Sequence, residues 1–205
     1  MHDKGGYSYE RQMENTEVCS CDHTYGERYI GMLYKLTAGS SNTEEPEADT
    51  SEVGKILSKD MQLNYPSNPH DVVLYYSRII KAYYDGEYND DQLNGLAQHA
   101  RATFDDELLS YNDYDEYMER LRAEIESYKL NKKKIVEYTI QRASDIEYLI
   151  DNSIQYAKVK AVYYTAEDGG SRSKVYEEYT LRQDKNSQWK IVFWDVIPET
   201  SVEGD

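Results

Sequence analysis

The chain has 205 residues, of which 39 are acidic and 23 are basic, so its formal net charge is −16. A chain of this length suits one domain with an additional segment. The acidic balance repels phosphate backbones, which argues against nucleic acid as a partner. No apolar run approaches the roughly 18 to 20 residues of a membrane-spanning helix, so the sequence predicts no membrane span in this chain.

The N-terminal segment, residues 1–58, is predicted to be a flexible acidic linker. Within it, Ser40–Gly54 carries five acidic residues, one proline and no basic residue. A block of like charges with little apolar surface cannot offset the entropy of ordering, so we expect a solvated spacer. The alternative is an acidic interaction tail.

The same segment contains the chain's two cysteines in the motif "CSCDH". Cys19, Cys21 and His23 are residue types that bind zinc or copper. A closed zinc site needs four ligands, and its cysteines are usually separated by two residues or more. These three residues therefore remain candidate ligands only, and the sequence predicts no metal site and no cofactor.

A folded domain is predicted over residues 59–198, followed by a disordered tail at 199–205. Its first half shows the 3.6-residue apolar period of helices. Each of three predicted helices has a start signal at which a polar side chain can cap the first turn. The residues of these signals are Asn68 with Pro69, Asn89 with Gln92, and Asp113 with Glu116.

The second half of the domain changes to the two-residue period of strands rich in Val, Ile, Thr and aromatic residues. Short turn sequences separate the later strands, which leaves no room for crossover helices and predicts an antiparallel sheet. Arg142–Asn152 is either a short strand or a bulged edge turn. The predicted class is α+β, with three helices on one face of the sheet. The strand candidates are Lys134–Gln141, Ser153–Ala166, Ser173–Gln183 and Ser187–Ile197.

Helices followed by a meander ending in "EEYTLRQDKNSQWKIVFWDV" resemble the nuclear transport factor 2-like (cystatin-like) fold. The segment "NYPSNPHDVVLYYSRIIKAYYDGEY" also resembles an uncharacterised clostridial family of that fold, which is often membrane-anchored. The resemblance covers Lys59–Pro198. It implies three helices on a curled cone-shaped sheet, a homodimer formed through that sheet, and a location on the extracytoplasmic side of the bacterial cell envelope. A cytoplasmic location is the alternative, because no membrane span precedes the domain here.

Strict alternation in the last strand predicts which of its side chains face the helices. It places Trp189, Ile191, Phe193 and Asp195 on one face and Trp194 on the other. Asp195 is then the one carboxylate on the more apolar face, where a raised pKa would suit a general base. The alternative is a solvated carboxylate near the end of the strand.

The 22 tyrosines are the strongest compositional clue to binding, because tyrosine combines aromatic burial with a polar tip. For a ligand inside the cone, the candidate contacts are Tyr76, Trp189 and Asp195. For an unknown protein or glycan partner on the outer face, the candidates are Trp194 and Tyr164. Ordinary core and strand surface is the alternative for both sets.

Two functional hypotheses follow. The first is a non-enzymatic binding or assembly domain at the cell envelope. The second is a small-molecule enzyme or carrier, similar to an isomerase or dehydratase, that uses a pocket in the cone. The volume of the pocket and the polarity of its lining should separate them.

Overall fold

The computed structural model describes residues 49–201. Within this range the chain is an α+β domain in which the α-helices precede a curled antiparallel sheet. The prediction of three helices is corrected to five, because two short helices accompany the three long ones. The helices are α1 (Glu52–Leu57), α2 (Pro69–Asp85), α3 (Asp90–Arg101), α4 (Asp106–Ser110) and α5 (Tyr114–Leu130).

The long helices begin at the predicted capping residues. The Asn68 side chain accepts a hydrogen bond from an amide of the first turn of α2. Asn89 and Gln92 form the predicted reciprocal capping box at the start of α3. Asp113 caps α5 by accepting from the amide of Asp115, and not through the predicted pairing with Glu116. Side-chain caps therefore determine the residue at which each of the three long helices begins.

Neither short helix was predicted as a separate element. Helix α1 lies before residue 59, the predicted start of the domain, and buries Val53 and Ile56 in the main hydrophobic core. Helix α4 is capped by Asp105, a buried carboxylate. One turn of helix is too short to show a clear apolar period, which is why neither was recognised.

The sheet contains β1 (Lys134–Ile140), β2 (Glu147–Asp151), β3 (Ile154–Ala166), β4 (Arg172–Gln183) and β5 (Trp189–Ile197). Its order is β1-β3-β4-β5, and β2 pairs with the first half of β3 on the same edge as β1. The ambiguous segment is thus a short strand. Its turn to β3 uses two residues with positive φ, Asn152 and Ser153, as expected for a tight hairpin.

A β-bulge in β5 changes which side chains face the helices. Leu181 pairs with Ile191, whereas the preceding residue, Thr180, pairs with Phe193, so Val192 is an extra residue. Beyond the bulge, Trp194 turns toward the helices and Phe193 turns to the outer face, where it is 47% exposed. The predicted strict alternation is therefore wrong after Ile191.

One end of the helix-facing side of the sheet, which we term the closed end, is filled by small and aliphatic side chains. Ala157, Val159, Leu181 and Ile191 are fully buried there. Next to it, the Arg182 guanidinium forms a bidentate ion pair with Asp105 and so joins β4 to the cap of α4. The other end of the same face is built differently and contains a cavity.

Candidate functional site

A cavity of about 340 Å³ lies between α2, α5 and the far end of the helix-facing side of the sheet. We term this the cavity end. Strands β1, β3, β4 and β5 all contribute to its floor. Pockets of roughly 300 Å³ and above are large enough for small organic ligands. The aromatic side chains in its lining are Tyr76, Tyr83, Tyr84, Tyr117, Tyr128, Tyr163 and Trp194.

Helix periodicity explains how α2 and α5 both present a wall. On α2, Tyr76, Ile80 and Tyr83 recur at spacings of three and four residues and so share one face of the helix. On α5, the same spacing brings Tyr117 and Leu121 to the cavity. The walls are therefore rigid helix faces, which hold their side chains more precisely than loops.

Trp194 lies at the centre of an aromatic cluster on the cavity floor. Its ring centroid is 5.8 Å from that of Tyr76 and 6.0 Å from those of Phe104 and Tyr179. Tyr76 also meets Tyr179 edge-on, at 5.9 Å. These offset and edge-on contacts are the arrangements that aromatic quadrupoles favour. The cluster therefore holds the floor of the cavity in a fixed position.

A chain of hydroxyl groups crosses the cavity end from α2 to β4. The Ser77 Oγ is 2.7 Å from the Tyr163 Oη, which is 2.9 Å from the Tyr179 Oη. The Tyr179 hydroxyl donates to the Glu177 Oε2 at 2.5 Å. Because an ionised carboxylate only accepts, and each hydroxyl has one hydrogen, the chain then runs from Ser77 through Tyr163 and Tyr179 to Glu177.

Glu177 is the carboxylate that this chain brings to the cavity. Burial raises the pKa of Glu177, the hydrogen bond from Tyr179 opposes that rise, and the negative charge of Glu124 adds to it. The net effect is a pKa above the ordinary value. Burial also raises the pKa values of Tyr163 and Tyr179, so both phenols stay protonated near neutral pH.

The rim of the cavity is polar and partly solvent-exposed. Arg120 and Glu124 are exposed and mark the opening. The Arg120 Nη2 donates to the Asn112 Oδ1 at 2.7 Å. The rings of Tyr84 and Tyr128 stack at 4.0 Å with an interplanar angle of 19°, linking α2 to α5 beside the opening.

This arrangement combines an aromatic lining with a small number of polar groups. Such a lining favours the body of an organic molecule, while Glu177 can accept a hydrogen bond or pair with a positive charge. A carboxyl group with a raised pKa is also the type of group that enzymes use to move protons. The geometry therefore suits binding, and Glu177 is a group capable of acid–base chemistry.

The structure brings together two of the residues singled out from sequence, but not the predicted set. Tyr76 and Trp194 both line the cavity. Trp189 is buried at the closed end with 5% of its surface exposed, and its ring meets that of Tyr148. Trp194 was expected on the outer face, and the bulge is the reason that it lies inside.

Asp195 and Tyr164 lie on the outer face of the sheet. Asp195 is exposed and pairs across the strands with Glu178, whose carboxylate binds Lys158. It is therefore not in an apolar pocket, which removes the geometric basis for its role as a general base. Tyr164 is half-buried, with the ammonium of Lys174 5.9 Å from its ring centroid.

Sequence reasoning missed Glu177, although the signal was present in β4. Val175, Glu177, Tyr179 and Leu181 alternate along the strand and all face the helices. The alternation was obscured because Glu178 follows directly and carries the same charge. Counting back from the apolar Leu181 would have identified Glu177 as the acid on the inner face.

The candidate metal ligands Cys19, Cys21 and His23 lie outside the described residues. Between residues 49 and 201, no group of three or more histidine, cysteine and acidic side chains is placed to hold a metal ion. In the same part of the chain, no helix combines the length and the apolar character needed to cross a bilayer.

Comparison with known proteins identifies the family of this chain. No curated protein matches the chain. The model of one family, described as a domain of unknown function (DUF6715), matches residues 28–194 and so covers more than half of the sequence, including all of the cavity lining. The chain belongs to this DUF6715 family.

Proposed function

We propose that this domain binds a small organic molecule in the cavity between α2, α5 and the sheet, and that it acts as a non-enzymatic binding domain. The observation that carries the proposal is a cavity of about 340 Å³ with aromatic walls and a hydrogen-bonded carboxylate, Glu177. Ligand sites in proteins combine a mainly apolar lining with a few placed polar groups in this way. A carrier or a sensor needs no more than this.

The same arrangement supports the nuclear transport factor 2-like fold for this domain. In that fold a layer of helices covers a curled antiparallel sheet, and ligands enter at the open end of the cone. Here the helices cover one face of such a sheet, and the cavity lies at one end of that face. A comparison of an experimental structure with members of that fold would test the assignment.

The binding proposal is tested by a fragment screen on the full chain, read by ligand-observed NMR. The variant Val175→Phe places a ring in the cavity, and Val162→Phe makes the same change on the outer face of the sheet. We expect fragments that bind the wild type and Val162→Phe but not Val175→Phe. An absence of hits, or equal binding to both variants, would count against a ligand site in the cavity.

A second candidate is an enzyme that moves a proton within the cavity, similar to an isomerase or dehydratase. Glu177 favours it, because a half-buried carboxylate with a raised pKa can act as a general base. For cavity ligands with an acidic C–H bond, wild type in D₂O should catalyse deuterium exchange, whereas Glu177→Gln should bind them without exchange. Equal exchange rates in the two proteins would exclude this role for Glu177.

Assembly through the outer face of the sheet is a further part of the proposal. Phe193 is 47% exposed there and lies opposite Thr180 of β4. An exposed aromatic side chain of this kind suits contact with a second copy of the chain. Light scattering should give the mass of a dimer for wild type and of a monomer for Phe193→Glu. A monomeric wild type at high concentration would refute the dimer.

The location at the bacterial cell envelope, and a protein or glycan partner there, also belong to the proposal. Their support is the resemblance to a family that is often membrane-anchored, together with the acidic block at Ser40–Gly54. Fractionation of cells that express the native gene tests the location. Recovery in the cytoplasmic fraction alone would leave the binding domain intact and remove the envelope role.

A further inference from the structure

We infer that the ligand of the cavity is an organic cation, an amine or quaternary ammonium compound with an apolar body. This inference rests on the proposed binding function and adds the chemical class of the ligand. Two independent features of the cavity carry it: the aromatic lining and the carboxylates that accompany it.

The aromatic side chains surround the space from three directions. Tyr76 and Tyr83 approach from α2, Tyr117 from α5, and Tyr163 and Trp194 from the sheet. The faces of such rings carry a negative quadrupole, and a cation within about 6 Å of a ring centroid is attracted by it. Clusters of tyrosine and tryptophan around a cavity are therefore well suited to quaternary ammonium groups, which cannot form ordinary hydrogen bonds.

The phenol hydroxyls on these rings are largely occupied by one another. The Tyr83 and Tyr117 hydroxyls are 3.3 Å apart, and Tyr163 belongs to the chain that ends on Glu177. Hydroxyls engaged in this way have less capacity to bind an anionic or strongly hydrogen-bonding ligand. The rings remain as the main contribution of these residues to the lining.

The charges at the cavity also favour a cation. Among residues 49–201, Glu177 and Glu124 both line it, against a single basic residue, Arg120, whose guanidinium is bonded to Asn112 at the rim. Because Glu124 adds negative charge near Glu177, ionising Glu177 costs free energy. A cation bound in the cavity would lower that cost. The chain as a whole, at a net charge of −16, attracts cations from solution.

Choline and its neutral carbon isostere, in which a tert-butyl group replaces the trimethylammonium group, provide a matched test. Both are titrated by calorimetry into the full chain, into Glu177→Gln and into Val175→Phe. Glutamine keeps an oxygen that accepts from Tyr179, so the first variant removes charge with little change of shape. Quenching of tryptophan fluorescence is a second readout, because Trp194 lines the cavity.

We expect wild type to bind choline about tenfold more tightly than the isostere, the order of magnitude of a desolvated cation–π contact. Glu177→Gln should weaken choline binding and leave the isostere unchanged, and Val175→Phe should abolish both. Tighter binding of the isostere, or binding of other neutral fragments with none of choline, overturns the cation inference and leaves the binding function standing. No binding of any probe or fragment removes both proposals.

Discussion

The closed end and the cavity end of this domain lie on the same face of one sheet, under the same helix, and differ in their side chains. At the closed end, Ala157, Val159, Leu181 and Ile191 leave no exposed surface. At the cavity end, Tyr163, Glu177 and Trp194 take the corresponding inward positions and border an open volume. Strands β3, β4 and β5 run through both ends, so the backbone alone does not decide where the cavity forms.

The comparison shows how a cavity survives in a small domain. Aliphatic side chains can approach each other closely and fill space, as at the closed end. Tyrosine rings are rigid, and their hydroxyls must keep hydrogen-bond partners when buried. The chain from Ser77 to Glu177 fixes the positions of two of these rings, Tyr163 and Tyr179, and so resists collapse of the cavity end.

The largest expected loss of stability comes from shortening a buried side chain at the closed end, and the same kind of change at the cavity end should cost much less. Leu181→Ala, at the closed end, should lower the free energy of unfolding by about 2–5 kcal/mol, because a fully buried side chain leaves a void. Val175→Ala, on the same strand and face but bordering the cavity, should cost less than about 1 kcal/mol. Urea denaturation measures both. Equal losses would mean that the cavity end is as tightly packed as the closed end.

The next effect concerns the ion pair beside the closed end. Arg182→Ala removes the partner of Asp105 and should cost about 2–3 kcal/mol near neutral pH, somewhat below the usual loss for a fully buried pair. The Asp105 side chain is 6% exposed and that of Arg182 is 24% exposed, which accounts for the reduction. Thermal unfolding of the two proteins at several pH values measures it.

The pH dependence of that loss has a defined sign. Burial acts to raise the pKa of Asp105, but hydrogen bonds from Arg182 and from the Glu107 amide outweigh it and lower the pKa. A lowered pKa stabilises the fold above the ordinary value of 3.8, and this contribution disappears as the pH falls through the folded pKa. The difference between Arg182→Ala and wild type should therefore shrink in acid. A constant difference would contradict the ion-pair explanation.

A smaller effect is expected from the hydroxyl chain at the cavity end. Tyr179→Phe removes the hydroxyl that donates to Glu177 and accepts from Tyr163, with little change of shape. It should lower the free energy of unfolding by about 1–2 kcal/mol. Tyr164→Phe, on the outer face, is the control and should change stability by less than about 0.5 kcal/mol. Similar values for the two variants, measured by denaturation, would show that the chain does not stabilise the cavity end.

The smallest expected effect is a gain in stability, whereas the preceding variants lose stability. Because the folded domain raises the pKa of Glu177, its ionised form opposes folding, and stability falls as the pH rises from the ordinary value of 4.5 through the folded pKa. Glu177→Gln should therefore melt slightly higher than wild type at mildly alkaline pH, with the gain vanishing below 4.5. Calorimetric melting at several pH values tests this. A variant less stable than wild type at every pH would show that the carboxylate stabilises the fold.

The sequence predicted the long elements of this fold well, because their signals are local. Asn68 with Pro69 marks the start of α2, and Asn89 with Gln92 marks that of α3. The predicted two-residue period of β3 likewise appears in the alternating burial of its side chains. Helix α1 was missed because its single turn is stabilised mainly by burial of Val53 and Ile56 in the core, which is a long-range effect.

The candidate site was harder to predict, because its composition depends on a register that only pairing reveals. Tyr76 was identified from its place in the stripe of α2. Trp194 and Asp195 were assigned to the wrong faces, since the bulge at Val192 depends on how β5 pairs with β4 and has no glycine or other local signature. Glu177 was overlooked beside an identical neighbour, Glu178.

The bulge at Val192 also determines how other members of the family should be aligned with this chain. Without the extra residue, Phe193 would still pair with Thr180 and Trp194 with Tyr179, so a one-residue gap at Val192 leaves the cavity wall unchanged. If the gap were placed beyond Trp194 instead, the outward Phe193 of this chain would be aligned with the inward residue of a relative that lacks the extra residue. An alignment that ignores this distinction would compare cavity residues of one protein with surface residues of another.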